Sequence, residues 1–224
     1  MLIGHSQGGL LAKWLAIDSG PRLWDVLSSK PPEALPISAE SAQLLRRAYF
    51  VEPMPDVKRV VFIATPQRGS FVAENPIGQF VARLVTPQAR LMNALRELTD
   101  LEDSNDLRFR PSEVRLASVW SMSPSNPLLQ VFGSIPVSPK IAAHSIIAVQ
   151  GDGPVETGDD GVVSYQSAHI KEAASELVVR SGHSVQSDPH TVAEVRRILL
   201  LHLASACPNG CTAAAAPLVQ ASRP

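Results

Sequence analysis

The sequence has few of the features that mark nucleic-acid-binding, membrane or metal proteins. Its 20 lysines and arginines nearly balance 21 aspartates and glutamates, so no overall field attracts nucleic acid or an anionic membrane. No apolar run reaches the roughly 18 residues that a membrane-spanning helix needs. The two cysteines, Cys207 and Cys211, have no histidine at zinc-ligand spacing, and we expect a local disulfide or free thiols without a metal. The sequence also lacks a glycine-rich phosphate loop, and we expect no cofactor.

What is present is the length and apolar content of one globular domain. The chain has 224 residues, of which 45% are hydrophobic, enough to bury one sizeable core. We expect one domain over residues 1–205. The Ala/Pro-rich segment 206–224 is expected to be a disordered tail.

Apolar, β-branched runs alternate with segments of helical character. Such runs are typical of strands buried in a parallel sheet, and they lie at residues 1–3, 57–65, 144–150 and 175–180. Apolar spacing, capping residues and first-turn prolines predict helices at 8–17, at 39–49 after Ser38, after Asn75-Pro76, after Thr86-Pro87 and from Pro189. The alternation predicts an α/β fold with a parallel sheet, flanking helices and chemistry in the loops beyond the carboxyl ends of the strands.

The pentapeptide Gly4-His5-Ser6-Gln7-Gly8 is typical of an activated serine. A serine hydroxyl is a weak nucleophile, and it needs a base and an exposed position at a sharp strand-to-helix turn. Glycines two positions before and after the serine are expected to let strand and helix approach closely, with Gly9 adding room. We expect Ser6 to be the nucleophile and the N–H of Gln7 to be an oxyanion donor. His5 is expected to point away from the nucleophile and to have a packing role.

A serine nucleophile of this type needs a histidine base on a later loop and a carboxylate between the two in the chain. Of the six histidines, His183 follows a predicted strand by a short linker, and we expect it to be the base. His144 opens a strand and is interpreted as structural. Among the acidic residues after residue 150, Asp160 precedes Gly161, whose turn would hold it inward. We favour Asp160 as the acid and keep Asp159 as the alternative.

Four segments in the expected order resemble the α/β-hydrolase superfamily, and within it the lipase and esterase branch. They are GHSQGG at 4–9, IATPQRGS at 63–70, DDGVVSYQSAH at 159–169 and SGHSVQSDP at 181–189. The resemblance is to lipase-like serine esterases grouped with GPI inositol-deacylases and bacterial relatives, and it covers most of residues 1–203. It implies a Ser6-Asp160-His183 triad with Gln7 as an oxyanion donor. The family often has histidine where this chain has Gln67, and Arg68 is expected either to orient the acid loop or to cap a turn.

The resemblance also implies that this chain is the C-terminal portion of an α/β-hydrolase fold. Earlier strands, and a loop that supplies a second oxyanion N–H, would precede Met1, so we expect an N-terminally truncated sequence. Any signal peptide would lie in that earlier segment. For the chain as written we expect a cytoplasmic location.

Two stretches are interpreted as cap-like insertions over Ser6, at about 21–55 and 70–106. Within the second, Leu91, Met92 and Leu95 either form an apolar wall for acyl chains or pack into the core. The expected substrate is a small-molecule or lipid carboxylic ester, although thioester and amide hydrolysis use the same triad. The rival hypothesis is a catalytically impaired fragment or a non-catalytic interaction module derived from the fold. The oligomeric state is not predicted.

Overall fold

The computed structural model describes residues 1–70, 89–101, 106–108 and 123–206, without the side chains of Ala89, Leu91 and Met92. The strands are β1 (Leu2–His5), β2 (Arg59–Ile63), β3 (Ala142–Ala148) and β4 (Ser175–Val179). The helices are α1 (Gln7–Trp14), α2 (Ala39–Tyr49), α3 (Ala89–Thr99), α4 (Pro127–Ser134), α5 (Tyr165–Ala168) and α6 (Pro189–Ala206). The helix predicted after Asn75-Pro76 and the segment 207–224, with both cysteines, lie outside the described residues.

The four strands form one parallel sheet in the order β1-β2-β3-β4. Across their last residues His5 pairs with Ile63, Ile63 with Ile146, and Ala148 with Val179. The carboxyl ends therefore share one edge, and the loops that follow β1, β3 and β4 begin there. The predicted α/β fold, with a parallel sheet and flanking helices, is confirmed.

The core lies on both faces of the sheet because β2 buries side chains in both directions. Val60 and Phe62 pack with Ala12 of α1 on one face. Val61 and its neighbours pack with Ile198 of α6 on the other face. Successive strand residues point to opposite faces, so an uninterrupted apolar strand needs helices on both sides.

The segment between α1 and β2 contributes a separate apolar cluster around Trp24. Helix α2 begins after Ser38, whose hydroxyl accepts a hydrogen bond from the N–H of Ser41, as the sequence predicts. Leu45 of α2 and Leu98 of α3 are buried against Trp24. Among the described residues, no helix is long and apolar enough to cross a membrane.

Candidate active site

Ser6 lies at a strained turn between β1 and α1. Its backbone has φ 53° and ψ −126°, a region that residues other than glycine rarely adopt. Its N–H donates to the carbonyl oxygen of Ile63 over 2.8 Å, which ties the turn to the end of β2. Because α1 begins at Gln7, the Ser6 hydroxyl stands at the amino end of a helix, at the carboxyl edge of the sheet.

Two of the three predicted glycines, Gly4 and Gly9, set the spacing of this turn. A Cβ on Gly4 would lie 2.5 Å from the carbonyl oxygen of Gly8, so strand and helix approach as expected. A Cβ on Gly8 would meet nothing within 4 Å. The expectation that Gly8 is needed for close packing was therefore wrong. The close contact falls one residue later, where a Cβ on Gly9 would lie 1.9 Å from Oγ1 of Thr65.

The structure brings Ser6, His183 and Asp160 together in one chain of hydrogen bonds. His183 Nε2 lies 2.9 Å from Ser6 Oγ, and His183 Nδ1 lies 2.8 Å from Asp160 Oδ2. An ionised carboxylate only accepts, so the Nδ1 proton points to Asp160 and Nε2 accepts from the serine hydroxyl. The His183 side chain is 21% exposed and that of Asp160 only 1%. The imidazole is thus reachable from solvent while its carboxylate partner is not.

The turn at Gly161 aims Asp160 inward. Gly161 has φ +90°, and the second oxygen of Asp160 accepts the N–H groups of Val162 (2.9 Å) and Val163 (2.7 Å). Asp159 is exposed, and its carboxylate accepts the N–H of Gly161 over 2.8 Å. Of the two candidate acids, Asp160 is the one beside His183.

The segment after β2 holds the acid loop in place. Nη1 of Arg68 donates to the carbonyl oxygens of Gln166 (2.9 Å) and His169 (2.6 Å). The hydroxyl of Ser70 donates to the carbonyl oxygen of Val162 over 2.6 Å. Of the two roles considered for Arg68, its contacts fit orientation of the acid loop and the helix that follows it.

Gln150 is a site-building residue that sequence reasoning missed. It is the second residue after the end of β3, and its Nε2 donates to the carbonyl oxygen of Asp160 over 2.9 Å. A Cβ on Gly182 would lie 3.1 Å from the same nitrogen, so the amide also lies close to the loop that carries His183. Its position just beyond the carboxyl end of a parallel strand was the available signal.

The start of α1 offers main-chain donors beside Ser6. Within the described part of the chain, the N–H groups of Gln7 and Gly8 donate to no protein acceptor. Free N–H groups in the first turn of a helix bind oxygen anions well. The predicted donor, Gln7, is therefore available for a ligand oxygen.

Of the three residues of the predicted apolar wall, only Leu95 has a described side chain. Leu95 packs against the cluster around Trp24, which corresponds to the core alternative. The side chains of Leu91 and Met92 lie outside the described residues, so their contact with acyl chains stays a prediction.

Gln67 is fully buried, and both of its amide atoms have no partner among the described residues. No group of three or more possible metal ligands occurs in the part of the chain that the structure describes.

The fold and site define an α/β protein with a serine, a histidine and an aspartate in series at the carboxyl edge of a parallel sheet. No family model matches the chain, and no curated protein matches it. Solved structures that it resembles include the lipase BlEst2 of Bacillus licheniformis in two forms. The mature form is 15% identical with a TM-score of 0.40, covering 89% of this chain and 65% of the lipase. The propeptide form is 16% identical with a TM-score of 0.36, covering 72% of this chain and 33% of the other.

The likeness to these lipase structures is distant. The chain spans 65% of the length of the mature lipase that it matches.

Proposed function

We propose that the chain is a serine hydrolase of the α/β-hydrolase type, which cleaves carboxylic esters, including lipid esters, through an acyl-enzyme intermediate. The observation that carries the proposal is the Ser6–His183–Asp160 chain of hydrogen bonds, with distances of 2.9 and 2.8 Å. Each member has the environment that its role requires. The serine lies at a turn with a strained backbone, and the imidazole is partly exposed. The carboxylate is buried, with hydrogen bonds to both of its oxygens.

In the proposed reaction Ser6 Oγ attacks the ester carbonyl carbon while His183 Nε2 takes the hydroxyl proton. Asp160 stays ionised, keeps the Nδ1–H tautomer and stabilises the imidazolium that forms. The imidazolium then donates its proton to the leaving alkoxide as the acyl–oxygen bond breaks. A water molecule, deprotonated by His183, then attacks the acyl carbon. As the bond to Ser6 Oγ breaks and the carboxylic acid leaves, the imidazolium returns that proton to Ser6 Oγ and regenerates the hydroxyl.

The oxygen that becomes negative during attack is bound, in this proposal, by the N–H of Gln7. That group lies at the amino end of α1, where aligned peptide dipoles add a positive potential. Leu91 and Met92 of α3 are proposed to contact the acyl chain. Leu95 would support them from within the Trp24 cluster.

Labelling with a fluorophosphonate and hydrolysis of p-nitrophenyl acyl esters test the proposal together. We expect the wild-type chain to be labelled at Ser6, mapped by peptide mass, and to hydrolyse the esters. Ser6→Ala is expected to abolish both. Ser134→Ala, which changes an exposed serine at the end of α4, is the matched control and keeps both.

The same experiment tests a non-catalytic interaction module. If the chain is such a module, the fluorophosphonate should not label it, although the chain should still unfold cooperatively in urea. Ester hydrolysis that is unchanged in Ser6→Ala would refute the proposed chemistry.

A further inference from the structure

His5 connects the strand before Ser6 with the loop that carries His183. It is the last residue of β1, and its Nε2 lies 2.9 Å from the main-chain oxygen of His183. The two imidazole rings lie 5.0 Å apart between centroids, inclined by 45°. A carbonyl oxygen can only accept, so Nε2 of His5 carries the proton and donates it.

The main chain in the middle of the loop that carries His183 makes few other hydrogen bonds. It starts after β4 and has to reach Ser6 beyond β1, across the ends of β2 and β3. With neighbouring strands about 4.8 Å apart, that distance is roughly 14 Å. Within the described residues, the bond from His5 is the only hydrogen bond to the main chain of residues 181–183.

Both ends of this loop are fixed by other contacts. The carbonyl oxygen of Val179 accepts the N–H of Val149 over 3.0 Å. On the far side Val185 is fully buried in the cluster beneath α6. The main-chain position of His183, between these two anchors, therefore depends on His5.

We propose that His5 is a positioning residue, whose Nε2–H fixes the main chain of His183 so that the His183 imidazole keeps both of its hydrogen bonds. This inference rests on the proposed function, in which that imidazole is the base. An imidazole can donate through its Nε2–H without carrying a charge, which matters because the two ring centroids lie only 5.0 Å apart and the His183 ring becomes an imidazolium during acylation. A lysine or arginine donor at this position would oppose that imidazolium.

Two substitutions separate the hydrogen bond from the packing of the ring. His5→Phe keeps a ring and removes the donor, whereas the side-chain amide of His5→Gln reaches about as far as the imidazole Nε2. We expect His5→Phe to lower kcat for a p-nitrophenyl ester by about 10- to 100-fold, with KM within about twofold of wild type. His5→Gln is expected to retain most of kcat. A displaced base slows the chemical step, while substrate binding is unaffected.

The proton on His183 Nδ1 gives a second readout that does not need catalysis. Its NMR resonance, identified by its absence in His183→Gln, reports the hydrogen bond to buried Asp160. We expect its exchange with water to be about tenfold faster in His5→Phe and unchanged in His5→Gln. Thermal midpoints of all variants control for global destabilisation. His5→Leu replaces the Phe variant as the donor-free chain if the latter does not fold.

Wild-type kcat and exchange in a folded donor-free variant would overturn the inference. Equal losses in the Phe and Gln variants would also overturn it, because the ring and not the donor would then matter. A wild-type chain that neither hydrolyses esters nor reacts with a fluorophosphonate would refute the proposed function. The exchange measurement would still decide whether His5 holds His183.

Discussion

At the residue scale, the candidate site depends on how the carboxylate of Asp160 is held. Asp160 gives one oxygen to His183 and the other to two main-chain N–H groups, so the carboxylate cannot rotate without losing hydrogen bonds. The sequence favoured Asp160, because it directly precedes Gly161, and kept Asp159 as the alternative. The direction of the turn, set by φ +90° at Gly161, separates them.

The roles of the two aspartates are tested by Asp160→Asn and Asp159→Asn. An amide at 160 would still accept the two main-chain N–H groups, but it would present N–H to His183 Nδ1 and favour the wrong tautomer. We expect kcat to fall by about 10²–10⁴-fold in Asp160→Asn. The exposed Asp159 accepts the Gly161 N–H through an oxygen that asparagine retains, so kcat should change little. Comparable losses in saturating ester assays would contradict the assignment.

Lys13 is a buried lysine whose pKa is lowered by its surroundings. Its side chain is 1% exposed, its amine donates to the carbonyl oxygen of Gly133 over 3.3 Å, and it lies 5.0 Å from the centre of the Phe132 ring. Burial lowers the pKa of this amine to about 8, while Glu172 opposes the shift and Arg68 adds to it. The sequence placed Lys13 on a helix, but its burial follows from the position of α4.

This lowered pKa predicts a stability that increases with pH. The ordinary lysine pKa is 10.5, so between about 8 and 10.5 the unfolded chain binds more protons than the folded chain. We expect the free energy of unfolding, measured with urea, to rise by on the order of 1 kcal/mol between pH 8 and about 9.5. Lys13→Met should lack this increment. A parallel rise in the variant would contradict the prediction. Tyr49 and Tyr165, whose pKa values are raised to about 12, act in the opposite direction only nearer pH 10.

At the scale of elements, local signals predicted the elements but not all of their ends; the helix predicted at 8–17, for example, is observed as α1 at Gln7–Trp14. Helix α2 runs over Ala39–Tyr49 as predicted, because Ser38 and the apolar spacing act within the segment itself. The strand predicted at 57–65 is shorter, at Arg59–Ile63, and the one predicted at 144–150 is shifted to Ala142–Ala148. Strand limits depend on the neighbouring strand, and residue-by-residue patterns contain no information about pairing.

The contact between α1 and the end of β2 predicts different effects for two adjacent glycines. Gly9→Ala would place Cβ 1.9 Å from Oγ1 and 2.8 Å from Cβ of buried Thr65, so backbone must move. We expect a loss of about 1–3 kcal/mol in the free energy of unfolding.

Gly8→Ala is the matched control, because its Cβ meets nothing within 4 Å. It should be neutral or stabilising by up to about 1 kcal/mol, through the lower backbone entropy of alanine in the unfolded chain. Urea unfolding of both variants measures the difference. Equal destabilisation by the two substitutions would contradict the packing described for α1.

At the scale of the whole molecule, His144 joins three strands and the C-terminal helix at one buried point. Its Nε2 accepts from Nη1 of Arg59 over 2.5 Å, and its Nδ1–H donates to the hydroxyl of Ser175 over 2.7 Å. That hydroxyl donates to Glu194 and accepts from Arg197, both on α6 and both at 3.2 Å. Burial lowers the pKa of His144, with Arg59 and Arg197 adding to the shift and Glu194 opposing it. The folded state therefore holds this histidine neutral.

A histidine that is neutral when folded predicts loss of stability in mild acid. The unfolded chain takes up a proton as pH falls below 6.5, whereas the folded chain resists it until lower pH. We expect the free energy of unfolding to decrease between about pH 7 and 5, and to decrease less in His144→Gln. The pKa of His202 is also lowered by burial, but this residue affects the pH dependence of unfolding equally in the wild-type chain and in His144→Gln. Identical pH slopes for the two chains would show that His144 is not the group responsible.

The sequence by itself determined the order of elements, the parallel sheet, the cap of α2 and the strand-to-helix position of Ser6. These features follow from residues within a few positions of one another, where periodicity and capping act. Only the tertiary structure decided that Asp160 and not Asp159 lies against His183, that Gly9 and not Gly8 is the close contact, and that His5 and Gln150 support the site. Those outcomes depend on loops that meet at the edge of the sheet although Ser6 and His183 are 177 residues apart. The distances between such loops are set by strand pairing and side-chain packing, which no short stretch of sequence encodes.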